Sequence, residues 1–201
     1  MNKKELILKL AKINAVKFGE FTLKSGMKSP IYIDLRIIVS YPDVMRLIID
    51  AFKSKIQEEN LQYDLMAGIP YTALPIASVL SLELNKPMIY ARKEVKDYGT
   101  KKKIEGKYEK GQTCLVIDDL ITTGGSKFET AEPFQAEGLI IKDFVVLVDR
   151  EQGGKKQLED KGYKLHAIIR MHEVLEVMKE SSKIDDDMYQ NVQKFIQDNQ
   201  I

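Results

Sequence analysis

The sequence is poor in the residues that build disulfides, metal sites and membrane spans. Its 201 residues include one cysteine, two histidines and no tryptophan, so an internal disulfide is excluded and a structural zinc site is disfavoured. No apolar run approaches the roughly 20 residues of a transmembrane helix, and no charged-then-apolar leader opens the chain. We therefore expect a cytoplasmic protein without a membrane partner, in which Met1 is the mature start.

The sequence also lacks an excess of either charge. Lysine and arginine number 31 against 30 aspartates and glutamates, which gives a net charge of +1. Proteins that bind nucleic acid through their overall charge are strongly basic, so we expect no nucleic-acid partner. Any strong electrostatic site must be local. Because 44% of the residues are apolar, residues 1–201 can fill the core of one domain.

The order of apolar patterns predicts an α/β fold with a central parallel sheet flanked by helices. Helical spacing over residues 3–16 predicts a cover or dimer element, and a turn at 24–26 before strand-like residues 30–35 predicts a hairpin. Strands that are apolar on both faces then alternate with helices, which is typical of parallel sheets. The predicted strands are 65–69, 88–91, 114–117, 141–148 and 165–169, and the predicted helices are 40–56, 72–84, 127–136 and two after residue 172.

One segment interrupts this alternation. Residues 92–112 contain eight lysines and arginines and four acidic residues, with interspersed glycines and little apolar content. Such a segment is too polar and too long for an ordinary connection. It is either a solvated surface loop or a mobile lid whose cations close over an anionic substrate.

The motif at residues 116–126 carries the most chemical information. It reads VIDDLITTGGS, an apolar strand that ends in two carboxylates, followed by hydroxyls and glycines at a helix start. Glycine-rich turns at helix N-termini bind phosphate through backbone N–H groups. Bare carboxylates would repel a nearby phosphate unless they accept hydrogen bonds from sugar hydroxyls or face a divalent metal. A ribose phosphate offers both a phosphate for the turn and hydroxyls for the carboxylates. The alternative is an aspartate pair that caps the helix without any ligand.

Two common nucleotide motifs are absent. No two glycines are spaced as G-x-G, and no Gly-Lys pair precedes serine or threonine. A Rossmann dehydrogenase and a P-loop NTPase are therefore disfavoured.

Taken with its surroundings, this motif resembles the phosphoribosyl-diphosphate motif of the type I phosphoribosyltransferases. Other segments narrow the resemblance to the orotate phosphoribosyltransferases. They read LKSG at 23–26, SPIYIDLR at 29–36, GIPYTALP at 68–75, RKEVKDYGT at 92–100 and DREQGG at 149–154.

The resemblance implies a type I phosphoribosyltransferase fold, with a small N-terminal hood over residues 1–40 and a flexible catalytic loop over 92–112. It implies conversion of orotate and 5-phospho-α-D-ribose 1-diphosphate (PRPP) into orotidine 5′-monophosphate (OMP) and diphosphate, a step of de novo UMP biosynthesis. Mg²⁺ is the expected cofactor, carried mainly by the diphosphate and not by protein ligands. A homodimer with shared active sites is also expected.

The resemblance also implies what individual residues do. It gives catalytic roles to Lys96, Arg92, Asp118 and Asp119, with the two aspartates on the ribose hydroxyls and residues 122–126 on the 5′-phosphate. The diphosphate positions are Arg92, Lys93 and Lys96, with backbone contacts from Tyr71 and Thr72. The orotate positions are Lys24, Thr122 and Arg150, with Tyr32 in the same pocket.

The substrate-binding positions implied in this way are Lys24, Tyr32, Tyr71, Thr72, Arg92, Lys93, Lys96, Asp118, Asp119, Leu120, Ile121, Thr122, Thr123, Gly124, Gly125, Ser126 and Arg150. Tyr98 stands where some members carry histidine, so acid catalysis by an imidazole is not expected there.

Two alternative functions stay open, which are transfer to another nucleobase and a non-catalytic PRPP-sensing regulator. Elsewhere, Cys114, His166 and His172 are interpreted as ordinary structural residues.

Overall fold

A computed structural model describes residues 2–23, 26–92 and 103–200. These residues form a two-stranded hairpin, a six-stranded sheet, a short 3-10 helix at Leu35–Ser40 and a set of α-helices. In chain order the elements are α1 (Lys3–Lys12), β1 (Val16–Thr22), β2 (Lys28–Ile33), α2 (Pro42–Glu58), β3 (Leu65–Gly68), α3 (Ala73–Leu84), β4 (Met88–Ala91), β5 (Ile104–Glu105), β6 (Thr113–Ile121), α4 (Gly125–Ala136), β7 (Ile140–Asp149), α5 (Gly154–Asp160), β8 (Lys164–Arg170), α6 (Met171–Glu180) and α7 (Asp186–Asp198).

The central sheet confirms the predicted α/β class. Its strand order is β5-β4-β3-β6-β7-β8, and every pairing is parallel except the one between β4 and β5. Successive residues of a strand point to opposite faces. In β6, Leu115 and Ile117 join the core cluster on one side, and Cys114 and Val116 join the cluster on the other. This double burial explains why the strand has a continuous apolar pattern.

The N-terminal region differs in detail from the prediction. Helix α1 ends at Lys12 and not at residue 16, because the chain turns through Asn14, which has a φ of 60°, and enters β1 at Val16. The predicted hairpin is confirmed as the antiparallel pair β1 and β2. The apolar face of α1 is buried in the chain's own core, where Leu6 and Leu10 are each 1% exposed. That face therefore covers the core and is not a dimer surface.

Three elements were not predicted from the sequence, namely the 3-10 helix, β5 and α5. Strand β5 lies inside the segment 92–112, where Ile104 is buried and pairs with Ala91 of β4. Residues 103–105 of this segment are thus held on the sheet edge, whereas residues 93–102 lie outside the described residues. In the described ranges, no helix has the length and apolarity needed to cross a membrane.

Candidate functional site

The candidate site lies at the carboxyl ends of β6 and β7, where ligands of open α/β sheets bind. The two strands end together, because Ile121 pairs with Asp149 in the parallel register. Beyond them the chain segments stay in contact. The Arg150 amide donates to the Ile121 carbonyl at 2.9 Å, and the Gly154 amide donates to the Thr122 carbonyl at 3.1 Å. The turn before α4 and the loop before α5 therefore form one continuous surface.

The turn before α4 presents unused backbone donors. Among the described residues, no acceptor is found for the amides of Thr122, Thr123, Gly125 and Ser126. The Gly124 amide is different, since it donates to Gln157 Oε1 at 3.1 Å. Unpaired amides at the positive end of a helix dipole create a binding place for an anion.

Gly154 holds this turn close to the start of α5. A Cβ atom at this position would lie 2.8 Å from the Thr122 carbonyl oxygen and 2.7 Å from Ile121 Cγ1. Both distances are shorter than real Cβ contacts, so any side chain here would push the turn away. The glycine is needed for close packing and not for a left-handed backbone.

The two carboxylates at the end of β6 have different environments. Asp118 is 4% exposed, its Oδ1 accepts the Asp119 amide at 2.9 Å, and its Oδ2 is in direct contact with Lys127 Nζ. Lys127 is itself 2% exposed and also donates to the Leu120 carbonyl and, at 3.3 Å, to Ser126 Oγ. Asp119 is only half-buried. Both oxygens of Asp118 are therefore engaged inside the chain.

Burial and the negative charge of Asp118 raise the pKa of Asp119 to about 7, although the positive charge of Lys127 opposes this rise. A carboxyl with a raised pKa in a cleft is typical of a functional site. Its charge would be stabilised by hydroxyl donors or by a cation from a ligand.

Arg150 presents a cation beside the turn. Its side chain is half-buried, and burial lowers the pKa of its guanidinium. Over the described ranges, no carboxylate lies within ion-pair distance of it. A desolvated arginine without an acidic partner is suited to a planar anionic ligand.

The residue after Arg150 is held from several sides. Glu151 has a φ of 57°, and its amide donates to Asp149 Oδ1 at 2.8 Å. Its carboxylate accepts from the backbone amide of His172 at 2.8 Å and lies at the same distance from that residue's Nδ1. Its carbonyl accepts from Gln200 Nε2 at 2.6 Å. These contacts fix the backbone from which the Arg150 side chain extends.

The end of β3 forms another side of the site. Gly68 allows α3 to approach, since a Cβ there would lie 2.8 Å from the Ala73 carbonyl oxygen. Tyr71, which is 66% exposed, and Thr72 lead into α3, and the peptide between Pro70 and Tyr71 is cis. A cleft of about 450 Å³ runs beside this segment, lined by Ile69, Pro70, Ala91, Arg92, Ser126, Glu129, Thr130 and Pro133.

Comparison with known proteins places the chain in a family. The model of the phosphoribosyl transferase domain matches residues 36–178, which is more than half of the sequence. The chain belongs to the phosphoribosyltransferase family. The expected type I phosphoribosyltransferase fold and the resemblance to orotate phosphoribosyltransferases are both confirmed.

Individual relatives within this family have more specific names than the family model. The phosphoribosyltransferase chain is 39% identical to the orotate phosphoribosyltransferase of Pyrococcus furiosus, over 90% of this chain and 100% of that protein. It is 43% identical to bovine uridine 5′-monophosphate synthase over 96% of this chain and 40% of that protein. The structure of Leishmania donovani UMP synthase matches with a TM-score of 0.88 and 41% identity, over 98% of this chain and 43% of that one. The chain thus spans about two fifths of the first curated relatives it matches.

The remaining predicted residues of this phosphoribosyltransferase fall in two groups. Lys24, Lys93, Lys96 and Tyr98 lie outside the described residues. Tyr32 is described, and it is held by its ring contact with Phe21 at 5.5 Å and by a hydrogen bond from Arg36 at 3.3 Å. Its place in an orotate pocket stays a prediction.

Arg92 lies on the cleft wall and pairs with Glu105 of β5 at 2.8 Å. The sequence did not indicate this partner, because β5 is a strand of only two residues. Both side chains of this pair are half-buried.

Sequence reasoning missed Lys127, the buried cation of the site. One signal was available, because the helix dipole disfavours cations in the first turn of a helix, which is where Lys127 lies.

The structural interpretation of the other candidates holds. Cys114 is buried, which raises its pKa, and His166 contacts Asp143 at 2.8 Å on the far end of the sheet.

Proposed function

We propose that this chain is an orotate phosphoribosyltransferase that converts orotate and PRPP into OMP and diphosphate, within de novo UMP biosynthesis. The observation that carries the proposal is the half-buried Arg150, which has no acidic partner among the described residues, directly beside a turn whose amides have no acceptor there either. One site thus offers a cation for the carboxylate of a base and a cradle for a phosphate. The names of the relatives support the same substrates.

The turn at residues 122–126 is proposed to hold the 5′-phosphate of PRPP. The free amides of Thr123, Gly125 and Ser126 would donate to its oxygens, together with the hydroxyls of Thr122 and Ser126. Leu120 and Ile121 precede the cradle, and their carbonyls are used by Lys127 and Arg150. They shape the motif and do not offer those oxygens to the ligand.

The ribose would lie over the aspartate pair. Hydrogen bonds from sugar hydroxyls favour the charged form of Asp119 and so offset the effect of its burial. Asp118 lies next to it at the end of β6 and supports the same surface.

Arg150 is proposed to bind the carboxylate of orotate in a bidentate contact. A purine base has no carboxylate and would leave this guanidinium desolvated and unpaired, which is costly. Lys24, Thr122 and Tyr32 are proposed as further contacts of the same ring.

In the reaction the bond between ribose C1 and the diphosphate oxygen breaks, a bond from C1 to the orotate ring nitrogen forms, and the proton of that nitrogen ends on the released diphosphate. Positive charge develops on the sugar and negative charge on the leaving group, so cations aimed at the diphosphate lower the barrier. We propose Arg92, Lys93 and Lys96 for this role, with backbone contacts from Tyr71 and Thr72.

Mg²⁺ is proposed to arrive with the diphosphate, as part of the substrate, and to neutralise part of its charge. The described residues contain no cluster of three or more His, Cys, Asp or Glu side chains that could hold a metal by themselves.

A homodimer with shared sites is proposed as the working state. Helix α3 leaves Val79 37% and Leu82 83% exposed, and Tyr90 of the adjoining β4 is 38% exposed. Ser78 of α3 contacts Met88 at 3.5 Å, and Tyr90 lies on the same face of β4 as Met88. Exposed apolar side chains gathered on one surface are typical of an interface.

The test is diphosphate release from PRPP and Mg²⁺ with orotate, uracil, adenine or hypoxanthine. The proposal predicts turnover with orotate and at most trace release with the other bases. Faster release with a purine would show transfer to another nucleobase. Binding of PRPP without release with any base would show a PRPP-sensing regulator.

A further inference from the structure

Two residues just beyond the end of helix α7 contact the loop that carries Arg150. Gln200 Nε2 donates to the Glu151 carbonyl oxygen at 2.6 Å, and Gln152 Nε2 donates to the Asn199 carbonyl oxygen at 3.4 Å. The partners of these hydrogen bonds are 49 and 47 positions apart in the chain. The loop and the helix end are therefore joined by two hydrogen bonds that run in opposite directions.

The end of α7 is itself held in a fixed place. The helix packs against β2 and α6, and its Val192 is fully buried in the main core cluster. At its end, Asn199 Nδ2 donates to the Phe195 carbonyl and Gln200 Nε2 donates to the Ile196 carbonyl, both at 2.8 Å. These are carbonyls that a helix leaves open at its end. The two hydrogens of Gln200 Nε2 thus connect the helix end to the loop.

The loop has two unfavourable features at this contact. Glu151 has a φ of 57°, in the left-handed region that residues other than glycine rarely adopt. Gln152 is 4% exposed, and its Oε1 has no hydrogen-bond partner among the described residues. Both features are costly and persist only where surrounding contacts hold the segment. The position of the Arg150 guanidinium depends on these contacts, since Arg150 directly precedes the strained residue.

The backbone around Glu151 is held on several sides, and α7 supplies one of them. The amide of Arg150 donates to the Ile121 carbonyl, and the amide of Glu151 donates to Asp149 Oδ1. The Glu151 carbonyl oxygen is the remaining polar group of this backbone. Among the described residues, Gln200 is the only donor to that oxygen. Removing the donor would therefore release one side of the backbone from which Arg150 extends.

We propose that Gln200 is a positioning residue for the orotate contact of Arg150, which it holds through the Glu151 carbonyl without touching the substrate. The proposal rests on the proposed function, which identifies the ligand of Arg150 as the carboxylate of orotate. Because α7 also packs against β2, the strand of Tyr32, the same helix connects two walls of the proposed orotate pocket.

The test exchanges the donor of Gln200 for an acceptor of the same size. Gln200→Glu places a carboxylate against the Glu151 carbonyl, so the loop should move and the Kd for OMP should rise about fivefold or more. The Kd for UMP, the nucleotide that lacks the orotate carboxylate, should stay within about twofold. Gln200→Lys restores a donor of similar reach and should bind OMP within about twofold of the wild type.

The control is Gln197→Glu, which adds the same charge about one turn earlier. Gln197 is exposed, and its side chain makes no hydrogen bond in the described ranges. Calorimetry on the full chain should give unchanged affinities for both nucleotides in this variant. In steady-state assays, Gln200→Glu should raise KM for orotate and leave KM for PRPP nearly constant.

A double-mutant cycle separates positioning from general stability. If Gln200 acts through Arg150, adding Gln200→Glu to Arg150→Ala should cause no further loss of OMP binding. A purely structural role would weaken OMP equally in both backgrounds. If Gln200→Glu does not fold, Gln200→Ala replaces it, with an expected loss of about threefold.

The proposal is overturned if Gln200→Glu binds OMP like the wild type, weakens OMP and UMP equally, or keeps its effect without Arg150. A wild-type chain that does not convert orotate refutes the proposed function instead. Amide hydrogen exchange of the peptide 149–154 then decides the positioning role. Faster exchange in Gln200→Glu than in Gln197→Glu supports it, and equal exchange refutes it.

Discussion

Replacing Arg150 by alanine is the sharpest test of the orotate assignment. The guanidinium is half-buried and has no carboxylate partner among the described residues. Its removal would therefore delete a contact to the ligand and leave no buried charge behind. A charge-assisted contact contributes about 2 kcal/mol or more, and that loss corresponds to about a 30-fold weaker binding of the carboxylate ligand.

The assay compares two nucleotides that differ only in the carboxylate. OMP carries it and uridine 5′-monophosphate (UMP) does not, so Arg150→Ala should weaken OMP about 30-fold in calorimetry and leave the affinity for UMP within about twofold. Arg150→Lys should recover only part of the loss, because an ammonium lacks the bidentate fork. KM for orotate should rise in parallel, with KM for PRPP nearly constant.

Two controls protect this interpretation. Arg46→Ala removes an exposed arginine of α2 and should leave both affinities unchanged. The free energy of unfolding of Arg150→Ala should stay within about 0.5 kcal/mol of the wild type, because no ion pair inside the described chain is lost. Equal weakening of OMP and UMP would show that Arg150 binds the phosphate or ribose and would refute the orotate pocket.

Other consequences can be checked by stability and mixing experiments. Folding raises the pKa of Asp119 from 3.8 to about 7, so the ionisation of this carboxyl opposes folding. In urea titrations, Asp119→Asn should therefore be more stable than the wild type above pH 7 and no more stable below pH 3.8. Gly154→Ala should lose about 1–3 kcal/mol in the same titrations because its Cβ meets the Thr122 carbonyl, whereas Gly125→Ala, whose Cβ would make only an ordinary contact with Thr123 Oγ1 at 3.9 Å, should not. Lys96→Ala should lower turnover by about a hundredfold without loss of stability. Mixing it with chains that carry both Asp118→Asn and Asp119→Asn, which should be inactive, should restore roughly a quarter of wild-type activity if subunits share sites, and nothing if Lys96 acts within its own subunit.

The fold class and the location of the site could be predicted because their signals are local. Strands buried on both faces have a continuous apolar pattern, and β6 and β7 show it in any context. The residues of the phosphate turn directly follow a strand and begin a helix, so the turn itself is visible in the local pattern, although Gly154 and Gln157 help to hold it in place.

Elements without a local signal were missed for physical reasons. Strand β5 is two residues long, and only its pairing with β4 along the sheet edge makes it a strand. The sequence pattern predicts too late an end for α1, since Ile13, Ala15 and Val16 are apolar and follow the helical segment directly. The turn at Asn14 and the pairing of Val16 with Ile33 end the helix instead.

The sequence by itself determined the order of strands and helices, the phosphate turn and the family, because each depends on residues that are neighbours in the chain. Only the tertiary structure decided which side chains share the site. Arg150 reaches the turn because β6 and β7 pair in register, and Gln200 reaches Glu151 because α7 returns across the molecule. The burial of Lys127 against Asp118 depends on the packing of α4 over the end of β6. Burial and distance between remote residues, which set charge and pKa, are properties of packing that no local pattern encodes.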